Sequence, residues 1–166
     1  MPLQKIFKDL DVQLVSENTQ LRTDGFPGIR SCEFRLLGQS ALLEAKLKLH
    51  LNATTDIDAY TNADWYVIER LGELLQNEGL HFDTLSKEIW MPEETTYTEL
   101  FNGQVVNLLC ADPVFVMVSK ALKAPRRNLQ LIADYIAQDP ASEFFPLCSK
   151  YQIILEDVLN GLVEDL

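Results

Sequence analysis

The sequence has no apolar run approaching the roughly 20 residues that cross a bilayer, and its first residues, Met1-Pro2-Leu3-Gln4-Lys5, lack the apolar stretch of a secretory signal. Cysteine is scarce: Cys32, Cys110 and Cys148 are odd in number, far apart and never in a CxxC pair. That pattern excludes a disulfide framework or a cysteine zinc site and reads as three small buried hydrophobes in a reducing, cytoplasmic setting. Positive charge is short as well, with 14 Lys and Arg against 25 Asp and Glu, a net charge of −11. Such a surface repels nucleic-acid phosphates overall, so non-specific DNA or RNA binding is not expected, although a local basic patch remains compatible with it. No P-loop and no Gly-x-Ser-x-Gly elbow occurs. The two histidines, His50 and His81, have no Cys or Glu at metal-ligand spacing.

What is present is an ordinary globular balance, 47% hydrophobic and 23% charged over 166 residues, enough for one domain with a real core. Leu3, Ile6, Phe7, Leu10 and Leu14 recur at helical spacing, and polar residues 16–30, with Gly25, Pro27 and Gly28, read as a loop. A strand over 32–37 stops at Gly38, and Ser40 then caps a helix carrying Leu43 and Leu47. A second strand spans 54–60. Asp64 caps a helix through Trp65, Ile68, Leu71 and Leu75 that ends near Gly79. Short strands are expected at 88–91, 95–101 and 104–110. Asp112-Pro113 opens a helix to Lys123, followed by helices over 126–138 and 142–162. The order predicts an α+β domain over residues 1–166: an α/β core to residue 110 with a small mixed sheet flanked by helices, then a helical C-terminal third over 111–166.

The chemistry concentrates in two short segments. In a strand, Asp56 and Asp58 project from one face while Ile57 enters the core. Like charges so close cost stability unless a cation fills the gap, and magnesium takes one or two carboxylates plus substrate phosphates. On its own, Asp-x-Asp equally fits an exposed strand end with two solvated acids. Gly38-Gln39-Ser40, a strand end running into a helix N-terminus, offers N–H groups and a hydroxyl to an anion, or is an ordinary serine-capped turn. Their order, Gly-x-Ser before Asp-x-Asp, sets a phosphate cradle beside a carboxylate pair, the two components phosphoryl-type transfer requires. The carboxylates of Asp56 and Asp58 are therefore expected to open onto a cleft near Ser40.

Phe34-Arg35-Leu36-Leu37-Gly38-Gln39-Ser40-Ala41-Leu42-Leu43 followed by Thr54-Thr55-Asp56-Ile57-Asp58 resembles the start of the DNA polymerase β-like nucleotidyltransferase superfamily, particularly its small bacterial toxin-like and uncharacterised members. Val105-Val106-Asn107-Leu108-Leu109, then Asp112-Pro113 and Lys120 to Arg126, is similar to that group's third active-site strand and lysine-bearing helix. The resemblance spans about residues 33–137. It implies the nucleotidyltransferase fold, with magnesium held by Asp56 and Asp58, phosphate contacts from Gly38 and Ser40, and Lys120 reaching the triphosphate. Lys120 also sits near a helix C-terminus, where the dipole favours any cation. The implied partners are a nucleoside triphosphate and an unknown acceptor. Two departures matter: Asn107 stands where the family has a third aspartate, and Arg126-Arg127-Asn128 where a further acid is usual. They imply either an attenuated enzyme or a non-catalytic binding or regulatory relative in a toxin–antitoxin or defence pair.

Overall fold

A computed structural model describes residues 3–45, 47–51, 54–138 and 143–156. Helix α1, Leu3–Thr23, buries Leu3, Ile6, Phe7, Leu10 and Leu14, the stripe its spacing predicts. It runs two turns past the point where the polar stretch was expected to become a loop. Thr19 and Thr23 donate their hydroxyls back to Val15 O at 3.0 Å and Thr19 O at 2.9 Å, so this solvated end needs no further apolar stripe. Gly25, with φ +80°, ends it, and Phe26 N–H returns to Leu21 O.

Strand β1, Cys32–Leu36, alternates buried and open residues. It lies at the centre of a mixed five-stranded sheet with β2 (Asp56–Thr61), β3 (His81–Asp83), β4 (Tyr97–Asn102) and β5 (Val106–Ala111), in the order β3-β2-β1-β5-β4. The β1–β2 and β4–β5 pairs are antiparallel, and β1–β5 and β2–β3 are parallel. Phe34, Leu36, Ile57 and Leu108 are fully buried. Phe34 packs edge-on against Phe7 of α1 and Phe82 of β3. The residues alternating with them, Glu33, Arg35, Asp58 and Tyr60, stand on the opposite, more open face. With helices α2 (Gly38–Glu44), α3 (Trp65–Asn77), α4 (Pro113–Lys123), α5 (Leu129–Gln138) and α6 (Phe144–Lys150), the chain is α+β with a helical last third.

Several boundaries differ from expectation. No strand forms at 88–91: Ser86–Glu88 is a 3-10 turn. The backbone after it is held as a strap, with Ile89 O accepting from Tyr60 Oη at 2.7 Å and Trp90 O from Ser119 Oγ at 2.5 Å. These side-chain donors replace the ladder partners a strand would need. β3 was not foreseen. Helix α5 begins at Leu129 rather than 126 because Asn128 turns its amide onto the end of α4, donating to Ala124 O and Lys120 O. α6 stops at Lys150 instead of running on. Tyr151 is drawn to Glu94, and Gln152 takes φ +57°. Residues 142 and 157–162 of that expected helix lie outside the described residues. Among the described residues no helix is long and apolar enough to cross a membrane.

Candidate functional site

Three elements meet at the end of β1. The chain leaves β1 through Leu37, whose N–H donates to Asp58 O at 2.9 Å, and turns directly into α2. The turn requires Gly38: its φ is +51°, and a Cβ there would lie 2.5 Å from Asp58 Oδ2. The Asp58 carboxylate thus rests on the glycine and accepts the Gln39 backbone N–H. Burial pushes its proton affinity up, and Asp83 and Asp56 add to that, against the lowering by Gln39 N–H and Lys120.

Ser40 behaves otherwise than the sequence suggested. It is the third residue of α2, not its cap, and is fully buried. Its Oγ accepts Asp58 N–H at 3.0 Å and donates to Asp56 O at 3.3 Å. The hydroxyl therefore braces the backbone between the two aspartates and is turned away from any phosphate outside. Expected as a phosphate contact, Ser40 is a positioning residue in this geometry. Gly38 makes room for Asp58, and the Gln39 N–H of α2 serves that carboxylate.

The register of β2 and β3 decides which other side chains share the face. Asp56 lies opposite His81, Ile57 opposite Phe82, and Asp58 opposite Asp83. Since paired residues on neighbouring strands project to the same side, Asp56, Asp58, His81 and Asp83 share one face, with Ile57 and Phe82 behind. Asp56 is exposed and Asp58 and Asp83 half-buried. Asp83 Oδ1 accepts Leu85 N–H at 2.8 Å.

From the other side, α4 brings Lys120. Burial lowers the proton affinity of its ammonium, while Asp58 raises it and Arg127 lowers it further. Lys120 is therefore electrostatically coupled to both, and Lys120, Lys123, Arg126 and Arg127 make no ion pair within 4.0 Å among the described residues. The site is an acidic face with Lys120 beside Asp58 and Arg127 beyond it.

Asn107 does not belong to it. It pairs with Glu33, and Glu33 N–H bonds Asn62 Oδ1 at 2.8 Å. Asn62 is four residues beyond Asp58, about 13 Å along the strand at about 3.3 Å per residue. The resemblance implies a third-acid position at Asn107, but parallel pairing with β1 puts Asn107 opposite Glu33, at the start of that strand and away from the acid pair. Its Oδ1 is buried without a hydrogen-bond partner. Asp112 is also outside the acid cluster. It occupies the N-cap position of α4 without capping it, and its oxygens accept from the hydroxyls of Thr96 and Thr98. Glu44 stands at the other end of α2 from Gly38.

Sequence reasoning missed Asp83 and His81. The available signal was Gly79 ending α3 and then His81-Phe82-Asp83, a polar–apolar–acid alternation like Asp56-Ile57-Asp58, but three residues are too few to declare a strand.

The donor chemistry of this face, three carboxylates without a thiolate, fits a hard cation such as magnesium. Among the described residues, no three His, Cys, Asp or Glu side chains stand close enough to enclose a metal ion as they are oriented. Compared with family models, with curated proteins and with solved structures, this chain matches none.

Proposed function

We propose that this chain is a magnesium-dependent nucleotidyltransferase of the polymerase β-like fold, acting in the cytoplasm on a nucleoside triphosphate and an acceptor. The observation that carries the reading is the register of Asp58 opposite Asp83, one alternate residue from Asp56, with the coupled Lys120 alongside. Asp56, Asp58 and Asp83 would hold magnesium, which when bound draws charge from the α-phosphate and the departing pyrophosphate. Gly38 lets Asp58 sit at the turn, and Ser40 fixes the two β2 aspartates relative to α2. Lys120 supplies a cation, already stripped of part of its hydration, to triphosphate oxygens. Asp83 keeps Oδ2 for the acceptor's proton while Leu85 N–H holds Oδ1. Because Asp83 furnishes a third acid and Asn107 is remote, the proposed enzyme is not attenuated.

A second reading, a non-catalytic relative that serves as a binding or regulatory partner in a stress or defence pair, draws on the acids not converging as oriented. One experiment separates the two. Magnesium with each of the four nucleoside triphosphates should raise Tm, by about 2.7 kcal/mol of stabilisation at a hundred times Kd. Asp56→Ala should abolish the rise without unfolding the protein. Pyrophosphate release should fall about a hundredfold or more in Asp83→Asn, whereas Asn107→Asp should leave it unchanged. Nucleotide binding without pyrophosphate release favours the non-catalytic reading. Full activity in Asp83→Asn overturns the site assignment.

A further inference from the structure

The chain leaves β3 at Asp83 and crosses to α4 as a strap over residues 84–92. Its start is bound to Asp83 itself: Leu85 N–H donates to Asp83 Oδ1 at 2.8 Å, and Ser86 Oγ donates to Asp83 O at 2.7 Å. Further along, three side chains take up its carbonyls. Tyr60 Oη donates to Ile89 O at 2.7 Å, Ser119 Oγ to Trp90 O, and Lys123 Nζ to Glu88 O at 3.2 Å.

Those donors come from the two elements that carry the opposed charges of the site. Tyr60 stands two residues past Asp58 on β2 and projects from the same face. Ser119 immediately precedes Lys120 on α4 and is buried, and Lys123 lies one turn further along the helix. On its other side α4 packs on α2, which Ser40 ties to β2. A helix held along one side can still tilt about that contact. The strap adds a second connection, from β2 and β3 to the turn of α4 that bears Lys120, and so fixes the gap between the lysine and the acids.

We propose that Tyr60 and Ser119 are positioning residues, which act through the strap to hold Lys120 at its working distance from the acid face. The proposal rests on the nucleotidyltransferase reading, because that distance matters only where one triphosphate spans both. Groups in such a site must be held to within about 0.5 Å, and a displacement of about 1 Å can cost about a hundredfold in rate. Tyr60→Phe and Ser119→Ala each remove one oxygen and leave the rest of the side chain in place. They therefore probe the connection and spare the core. A hydroxyl that only braced the fold would lower Tm when lost and leave the turnover of each folded molecule intact.

The test measures pyrophosphate release by the full chain, well below the Tm of every variant, with magnesium and whichever of the four nucleoside triphosphates the parent turns over fastest. Tyr60→Phe and Ser119→Ala should each lower kcat about tenfold or more, with KM for the triphosphate changed less than about threefold. In a Lys120→Ala background both losses should vanish, because a residue that acts through Lys120 has nothing left to place. Thr23→Val removes a hydroxyl bond of the same kind at the end of α1 and should leave kcat as in the parent. If Tyr60→Phe folds poorly, Ser119→Ala carries the measurement. Unchanged kcat in either folded variant, a loss confined to KM, or an equal loss with and without Lys120 would overturn the proposal and leave the nucleotidyltransferase reading standing. A parent that releases no pyrophosphate from any of the four overturns that reading and the proposal with it.

Discussion

Among the described residues, two carboxylates press against glycines, and they do so for opposite ends. Asp11, on α1, is buried and accepts three backbone N–H groups at the β4–β5 turn: Gln104 at 3.1 Å, Val105 at 2.7 Å and Val106 at 2.8 Å. A Cβ on Gly103 would fall 2.5 Å from its Oδ1. Asp58 lies equally close to Gly38 but has one backbone N–H, two acidic neighbours and a lysine shared with an arginine. The first acid is saturated with donors and ties α1 to the sheet. The second is left short of donors and crowded by charge, which costs stability and leaves lone pairs for something else. Geometry alone would rank the two alike; the census of donors separates structure from site.

The largest effect that would break this comparison is at Asp11. Asp11→Ala strips three N–H groups of their acceptor, two of them buried, and at about 1–3 kcal/mol for each buried donor left unmade the loss should reach about 2–6 kcal/mol, a large share of a typical domain's stability. Urea denaturation reads it directly. A loss under about 1 kcal/mol would mean that water reaches the turn and that Asp11 is no more structural than Asp58.

Gly38→Ala should cost less in stability and more in function. A non-glycine residue at φ +51° carries about 1–3 kcal/mol of backbone strain, and the new methyl must push the Asp58 carboxylate off the turn. Tm should fall by roughly 2–4 °C per kcal/mol, and the magnesium-nucleotide stabilisation should disappear. If the variant keeps that stabilisation, Asp58 does not need its place on Gly38 to act.

The same contrast explains what the sequence shows and hides. The glycine turn and the Asp-Ile-Asp strand were legible because both are local: a strand puts residues 56 and 58 on one face whatever the rest of the chain does. The role of Ser40 was not, because a hydroxyl at a helix start reads as a cap, and only the approach of β2 turns it inward. Asp83 was hidden by the brevity of β3, whose existence depends on pairing with β2 more than on its own propensity. Asn107 was misplaced since an apolar run has no intrinsic register; the parallel pairing with β1 sets it. Asp11, an acid on an otherwise regular amphipathic helix, carries no sequence signal at all, because its three donors come from residues more than 90 positions away.

The smallest effect is the most direct measure of the difference between the two acids, and it has a sign. Burial raises the proton affinity of folded Asp58 above its unfolded value. Across the window from the ordinary carboxylate range, near 3.8, up to the raised folded value, the native state binds more protons than the unfolded one. Stability therefore falls as pH rises through that window, is free of the penalty below it, and bears the whole penalty above it. Asp58→Asn cannot ionise and keeps nearly the same shape. At pH 7 without magnesium the variant should melt a few degrees higher than the parent, at about 2–4 °C for each kcal/mol relieved, and the gap should close as pH falls below 4. Adding magnesium should raise the parent and leave the variant where it is, reversing the order if the ion binds tightly enough. A variant that melts lower than the parent at neutral pH would show that the carboxylate, like that of Asp11, is there to hold the fold.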